Sequence, residues 1–226
     1  MLALLCTLAQ GAWAQNYDVW DGSSTSKPTY DSSNCYVVIN TAAELAYINR
    51  NWDEPSGFVD GKDYYELDYY LNHDIDMWAG NWTPFSEWYD NTFYGNGHTI
   101  RYRIYDTEKD NLGLFAKIKY SAKVLNLNVA GSISCGGSDY VGGIAGQILG
   151  STIQNCHSSM TIECGHKEEY GNARDVGGIV GLTQGGTIEN CEMSGRMIMN
   201  KNESSIGGIA GSNSGICKIR NSSFAS

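Results

Sequence analysis

Two carboxylates lie two residues apart in the segment Leu71-Asn-His-Asp-Ile-Asp76, whose apolar and polar residues alternate as in a β-strand. On a strand, the side chains of Asp74 and Asp76 lie on the same face. Such a pair can bind Ca²⁺, or act as acid and base in the cleavage of a glycosidic bond. The alternative, which we favour, is that both carboxylates cap turns or accept hydrogen bonds from them near the start of a repeat array.

Other acidic and imidazole side chains form no recognisable catalytic or metal site. One acidic group lacks the ordered spacing of an EF-hand loop and predicts a solvated face; it comprises Asp60, Asp63, Glu66 and Asp68. The histidines are scattered outside any nucleophile motif, at His73, His98, His157 and His166. No Cys/His zinc spacing is present either. We therefore predict a protein that is not an enzyme, with no cofactor and no metal beyond the calcium candidates Asp74 and Asp76.

Aromatic residues are concentrated in one stretch of the chain. Thirteen of the 26 aromatic residues lie between positions 64 and 105. Exposed Trp and Tyr rings can stack on the apolar faces of sugars, since they offer a large rigid surface with a polar edge. The ligand-binding candidates, expected in loops, are Trp78, Trp82, Trp88 and Tyr89. The alternative is that these rings pack the junction between an N-terminal cap and the first coil.

Charge and hydropathy exclude several classes of partner. The formal net charge of −10 argues against nucleic acid and anionic lipid, because no basic stripe exists to neutralise phosphates. Residues 1–9 form a short apolar run, and Ala12-Trp-Ala14 follows as a cleavage signature. We therefore predict a signal peptide at residues 1–14 and an exported chain. No other segment approaches the about 18–20 apolar residues that span a bilayer, so we predict no membrane insertion.

Internal repeats dominate the second half of the chain. Gly-Gly-Ile-(Ala/Val)-Gly occurs at Gly142–Gly146, Gly177–Gly181 and Gly207–Gly211, and a weaker copy starts at Gly113. Repeats of about 30 residues are typical of solenoids, whose units must stack to bury their apolar faces. The positions expected to be structural are Gly142, Gly143, Gly146, Gly177, Gly178, Gly181, Gly207, Gly208, Gly211, Asn155, Cys156, Asn190, Cys191 and Asn221.

Each repeat predicts three short strands, which in the second copy are Val141–Gly146, Thr152–Cys156 and Ser159–Cys164. Three strands a coil, with apolar residues alternating inward, indicate an all-β fold: a right-handed parallel β-helix. Residues 165–175, around His166, lengthen one repeat and predict a projecting loop. Cys156 and Cys191 occupy the same repeat position and should stack on adjacent coils. We favour a ladder of buried thiols over a disulfide there, because Leu127 fills the slot one coil earlier.

The elements before the repeats predict a cap. Residues 15–35 form a polar leader, and residues 36–112 contain the cap and the aromatic-rich first coils. Thr41 and Glu44 have the spacing of a capping box, and Leu45, Ile48 and Trp52 follow on one helical face. We expect this short helix to cover the open edge of the first coil. Residues 113–226 hold the repeats and end part-way through one, so we expect a longer parent protein.

These repeats resemble the GLUG-repeat family. The resemblance is carried by Gly143-Ile-Ala-Gly146, Gly178-Ile-Val-Gly181 and Gly208-Ile-Ala-Gly211, by Thr152–Cys156 and Thr187–Cys191, and by Ile39–Leu45, Leu71–Asp76, Trp82-Thr-Pro84, Phe93–Ile100 and Gly113-Leu-Phe115. Ile replaces the usual Leu in every strong copy. The resemblance implies an exported bacterial surface protein, with adhesion as a frequent role. The repeat region is also similar to the non-catalytic part of bacterial IgA metalloproteases, but the chain contains no His-Glu-x-x-His, so their catalytic role does not carry over.

Three functions therefore remain open. The first is a secreted or cell-surface binding module for adhesion to a host or dietary glycan or to a surface protein. The second is a carbohydrate-active β-helix enzyme, a polysaccharide lyase or hydrolase, which an acidic pair beside an Arg or Lys in a coil-face groove would favour. The third is a structural spacer without a ligand. We favour the first, because the sequence contains repeats and an export signal but no catalytic motif.

Overall fold

The computed structural model describes residues 17–52, 62–63, 66–107, 109–165, 174–199 and 205–225. The described chain is mostly parallel β-sheet with one helix, which confirms the predicted fold class at that level. The predicted signal peptide, Asp60, and His166 with most of its predicted loop lie outside the described residues.

The strands of the described residues belong to three sheets, and strands that pair in parallel come from neighbouring coils. The first sheet contains β1 (Asp18–Val19), β5 (Ile75–Asp76), β8 (Thr99–Thr107), β11 (Asn128–Cys135), β14 (His157–Cys164), β17 (Glu192–Met193), β18 (Arg196–Met199) and β22 (Ser223–Phe224). The second contains β2 (Thr29–Asp31), β3 (Tyr36–Ile39), β4 (Asp68–Leu71), β6 (Trp88–Tyr89), β7 (Thr92–Tyr94), β9 (Phe115–Lys119), β10 (Lys123–Leu125), β13 (Ala145–Gln154), β16 (Val180–Glu189), β20 (Ala210–Asn213) and β21 (Cys217–Arg220). The third contains β12 (Asp139–Gly142), β15 (Arg174–Gly177) and β19 (Ile206–Gly207).

The repeats stack in parallel register. In the first sheet, Asn128 pairs with Thr99 of the preceding coil and with His157 of the following coil. One repeat runs through β12, β13 and β14 and therefore visits all three sheets. The predicted strand Val141–Gly146 is divided in the structure, because β12 ends at Gly142 and β13 begins at Ala145. The Gly-Gly-Ile motif is therefore a corner between two strands.

Asparagines turn the chain at the corner between the second and first sheets. Asn126, Asn155, Asn190 and Asn221 all have a positive φ, between 47° and 54°. Asparagine tolerates this left-handed conformation better than most residues. The side-chain nitrogen of Asn155 donates to the side-chain oxygen of Asn126 at 3.0 Å, and Asn190 donates to Asn155 at the same distance. The corners are therefore tied from coil to coil.

The N-terminal cap contains the helix α1 (Ala42–Arg50) and both strands of the predicted leader. The capping box is present: the Thr41 hydroxyl accepts from the Glu44 amide at 3.2 Å, and the Glu44 carboxylate accepts from the Thr41 amide at 3.0 Å. Leu45 and Ile48 are fully buried and belong to the core. Residues 17–35, predicted as a polar leader, are part of the sheets, because β1 pairs with β5 and β2 pairs with β3.

Candidate functional site

Two of the four predicted sugar-binding aromatics lie in the core. Trp88 is fully buried in β6, and Trp82 is 5% exposed, with its indole N–H donating to the Leu114 carbonyl at 3.1 Å. Trp82 lies in a loop as predicted and Trp88 does not, but both rings are buried, so the prediction of an exposed face is wrong for both. The structure shows the alternative, a junction packed by aromatic rings. Trp52, which follows α1, stacks on Trp88 with ring centroids 4.5 Å apart.

Tyr89 does not join Trp78 in one site. Tyr89 lies on the second sheet, where it pairs with Lys119, whereas Trp78 lies over the first sheet. The second sheet also carries a row of half-buried tyrosines. Tyr36 stacks on Tyr70 at 4.7 Å between centroids, and Tyr70 lies 5.3 Å from Tyr94. These three rings form a row along the second sheet, so they lie on a different sheet from Trp78.

Trp78 forms a surface with two arginines of β8. The Arg101 guanidinium lies 4.3 Å from the centroid of the Trp78 ring, and the Arg103 guanidinium lies 5.7 Å from it. Arg101 also donates to the Asp76 carboxylate at 2.7 Å. We call Trp78, Arg101, Arg103 and Asp76 the Trp78 surface. Trp78, Arg101 and Arg103 are all partly exposed, so an aromatic ring and two cations meet solvent together.

The two candidate calcium ligands hold turns and side chains in place. Asp74 accepts from the Thr99 amide at 2.8 Å and lies 3.2 Å from the His98 ring nitrogen. Asp76 accepts from the Trp78 amide at 2.8 Å through one oxygen and from Arg101 through the other. These contacts match the structural alternative. Among the described residues, no group of three or more His, Cys, Asp or Glu side chains is arranged to hold a metal ion.

Tyr17 lies beside the Trp78 surface. Partial burial raises the pKa of its phenol above the ordinary value of 10.0, and the negative charge of Asp74 raises it further. Thr99 and Arg101 are also close enough to act on the phenol, in the opposite direction. The phenol is therefore protonated at neutral pH and can donate a hydrogen bond.

A small cavity adjoins the Trp78 surface. Its volume is about 230 Å³, and its lining comprises Trp20, Ala46, Asn49, Arg50, Met77, Asn81, Trp82 and Thr83. This is smaller than typical small-molecule sites of about 300–1,000 Å³, so it suits one small group. Gly80 joins the two features: a Cβ there would collide with the Trp20 ring, and its carbonyl accepts from Arg103 at 3.3 Å. We call this space the Trp20 cavity.

A row of small polar side chains extends the Trp78 surface across the first sheet. Arg103 is in register with Ser132, Ser132 with Thr161, and Thr161 with Arg196. With strands about 4.8 Å apart, the two arginines at the ends lie about 14 Å apart along the stack. Within the described ranges, neither Arg103 nor Arg196 makes an ion pair with a carboxylate. Glu163, two residues beyond Thr161, and Glu192, the register partner of His157, are acidic residues on this face.

Comparison with known families identifies the repeats. A family model described as the GLUG motif matches residues 137–163 and 172–196. Both stretches carry the GLUG motif. The motif is associated with exported bacterial proteins and indicates a surface-type repeat domain. Neither the curated proteins nor the solved structures gave a match, so the similarity to IgA metalloproteases stays a prediction.

The GLUG glycines lie where the coils leave no room for a side chain. A Cβ on Gly142, Gly177 or Gly207 would collide with the carbonyl oxygen three residues ahead. A Cβ on Gly143, Gly178 or Gly208 would collide with a side chain of the first sheet, and on Gly146, Gly181 or Gly211 with backbone of the third-sheet segments. These nine positions therefore hold corners together and carry no exposed chemistry.

The cysteines of the GLUG repeats combine burial with hydrogen bonding. The Cys156 sulfur accepts from the Leu127 amide at 3.5 Å, and the Ser222 hydroxyl accepts from the Cys191 amide at 3.1 Å. Ser222 thus continues the same ladder one coil later. Burial raises the pKa of the Cys156 thiol, whereas a hydrogen bond from Cys156 lowers the pKa of the Cys191 thiol. The slot therefore holds a buried side chain in each coil, Leu127, Cys156 and Cys191 in turn, and the two thiols add hydrogen bonds to this burial.

The sequence did not predict the arginines of the Trp78 surface or the residues of the Trp20 cavity, apart from Trp82. Arg101 and Arg103 alternate with Tyr102 and Ile104 in β8, and this period of two was the available signal that both arginines share one face. Trp20 lies in residues predicted as a leader, and no local signal places it against Gly80.

Of the other predicted acidic residues, Asp68 accepts a hydrogen bond from the Thr92 amide at 2.7 Å. No helix among the described residues is long and apolar enough to cross a membrane.

Proposed function

We propose that this chain is a non-catalytic binding module of an exported bacterial surface protein, and that its Trp78 surface binds a glycan for adhesion. For the fold we propose a right-handed β-solenoid with an N-terminal cap. The observation that carries the binding proposal is the partly exposed Trp78 ring beside the Arg101 and Arg103 guanidiniums. An indole supports the apolar face of a sugar, and guanidinium groups donate to its oxygens.

The shape of the first sheet supports an extended ligand. From Trp78, the row of Ser132 and Thr161 leads to Arg196 without a large side chain in between. A chain of several sugars can lie along this row, while one unit or substituent occupies the Trp20 cavity. Adhesion suits such an arrangement, since a repeated flat surface makes many weak contacts.

The charges favour an acidic glycan. Arg101 forms an ion pair with Asp76, but Arg103 and Arg196 have no carboxylate partner in the described part of the chain. A guanidinium can bind a carboxylate through two parallel hydrogen bonds, which a neutral hydroxyl does not match. We therefore expect sugars that carry a carboxylate, such as uronic acids, to bind more tightly than neutral sugars of the same length.

Binding should depend on Trp78. On a panel of polysaccharides and host glycans, we expect the purified chain to bind uronate-containing members and Trp78→Ala to weaken that binding about tenfold or more, equivalent to about 1.4 kcal/mol. Titration calorimetry with the best oligosaccharide measures the change. The matched control is Tyr120→Asn, which removes an exposed aromatic ring from a corner at the end of β9, where φ is 59° and asparagine is tolerated.

Other outcomes distinguish the remaining functions. The pair Asp74 and Asp76 beside Arg101 is the arrangement that would favour a lyase or hydrolase. Release of new reducing ends or unsaturated sugars from the same panel would show that enzyme and refute a non-catalytic module. Equal binding by the wild type and Trp78→Ala would show that the glycan does not bind at the Trp78 surface. A complete lack of glycan binding would favour the structural spacer.

A further inference from the structure

A second pair of cysteines faces each other across adjacent coils, apart from the ladder of Cys156 and Cys191. Cys135 ends β11 and Cys164 ends β14, and the two are direct register partners. Both are fully buried. Their sulfur atoms lie 2.8 Å apart. We propose that Cys135 and Cys164 form a disulfide that links two successive coils in the exported protein.

The backbone already has the required geometry. Neighbouring strands lie about 4.7–4.9 Å apart, and disulfides join Cα atoms that are about 4.4–6.8 Å apart. Carbon atoms in contact lie about 3.5–4.0 Å apart, and sulfur is the larger atom, so a separation of 2.8 Å is well inside non-bonded contact. An S–S bond is about 2.0 Å long, so the two sulfurs need to approach each other by roughly 0.8 Å.

The other cysteines are less suited to this bond. The thiols of Cys156 and Cys191 also contact each other, but each donates to a carbonyl of the preceding coil, Cys156 to Val124 at 3.6 Å and Cys191 to Ile153 at 3.7 Å. Cys217 is in register with Gly186, which has no sulfur. Cys35 is exposed in a turn after β2.

The position of the pair gives the bond a structural role. The chain leaves both strands immediately after these cysteines, and the Gly165 amide donates to the carbonyls of Cys135 and Gly136 at 3.0 and 3.1 Å. A disulfide here would hold the ends of β11 and β14 together at the point where the chain leaves both strands. It also closes a ring of one whole repeat, which restricts the unfolded chain.

Formation of the bond needs an oxidant, and exported proteins meet disulfide-bearing oxidants. One cysteine thiolate attacks the oxidant's disulfide, which releases one thiol and leaves a mixed disulfide on the protein. The second cysteine, deprotonated, attacks the protein sulfur of that mixed disulfide and releases the second thiol. Two protein thiols lose two protons and two electrons, and the oxidant takes them up. Because both sulfurs are buried in the native state, the reaction occurs as the chain folds.

The test is a disulfide map of the full chain refolded with oxidised glutathione, then alkylated under denaturing conditions. Cleavage before aspartate separates the two cysteines, since Asp110, Asp139 and Asp175 follow one another in the sequence. We expect residues 110–138 linked to residues 139–174, with Cys156 alkylated. Cys156→Ser should keep the link, and Cys164→Ser should abolish it.

Stability gives a second measurement on the wild type itself. Reduction should lower the Tm by about 6–15 °C, as expected when a ring of this size opens in a chain of this length. The reduced wild type and Cys164→Ser should then melt alike. Alkylation of both Cys135 and Cys164 after oxidative refolding, or a link between a different pair, would overturn the proposal.

Discussion

Replacement of Trp88 by alanine is expected to lower the free energy of unfolding by about 3–5 kcal/mol, and the Tm by about 6–20 °C. Trp88 is fully buried, stacks on Trp52, and lies 5.0 Å from Phe115 between ring centroids. Removal of the indole leaves a cavity, and the surrounding rings cannot collapse to fill it because they are held by the turn after α1 and by the second sheet. Thermal or urea unfolding of the purified variant measures the loss.

Two further variants make this prediction specific. Trp78→Ala should change stability by about 1 kcal/mol or less, because Trp78 is partly exposed and its main partners are arginines at the surface. Trp88→Phe should be milder than Trp88→Ala, since it keeps most of the ring packing. It also removes an indole N–H that is buried without a hydrogen-bond partner in the described structure. Equal losses for Trp78→Ala and Trp88→Ala would contradict the assignment of one ring to the surface and the other to the core.

Replacement of Gly143 by alanine is expected to destabilise the chain by about 3 kcal/mol or more, the upper end of overpacking effects. The new Cβ would lie 2.6 Å from the Gly178 carbonyl oxygen and would also collide with the Ser158 hydroxyl. The carbonyl belongs to the next coil, so it cannot move without shifting the stack. The shift would also disturb the Gly143 carbonyl, which accepts from the buried Tyr102 hydroxyl at 2.5 Å.

Gly97 provides the matched control for this steric effect. A Cβ at Gly97 meets no atom within 4 Å, and its φ is 79°. Asparagine adopts this conformation more readily than alanine, so Gly97→Asn should cost about 1 kcal/mol or less. Denaturant unfolding of both variants compares the two effects. A Gly143→Ala variant as stable as Gly97→Asn would show that the coils can separate at the Gly-Gly corner.

The repeat pattern predicted the stacking of parallel strands because it repeats a packing requirement. Each GLUG copy places glycine where the next coil leaves no space and Ile where the core needs an apolar side chain. The asparagine at the corner was visible in the same way, since few residues adopt a positive φ. Such packing requirements involve only one repeat and its neighbours, so the same residue types recur at the same positions of each copy.

The aromatic segment was less predictable, because an aromatic residue suits both a core and a binding surface. Trp78 and Trp88 are the same residue type, yet one is partly exposed and the other fully buried. Trp88 lies in β6 of the second sheet, whereas Trp78 follows β5 and lies over the first sheet. No local pattern distinguishes the two positions.

The repeat, its period, its corner residues and the capping box could all be recognised from residue patterns, as could the lack of known catalytic motifs. The exposure of Trp78, the position of Arg101 and Arg103 beside it, and the pairing of Cys135 with Cys164 became visible in the folded chain. The difference follows from distance along the chain. Features of one residue type or one repeat can be recognised from neighbouring positions in the sequence. These contacts instead join residues 23 to 29 positions apart, and they form only when the coils stack in register.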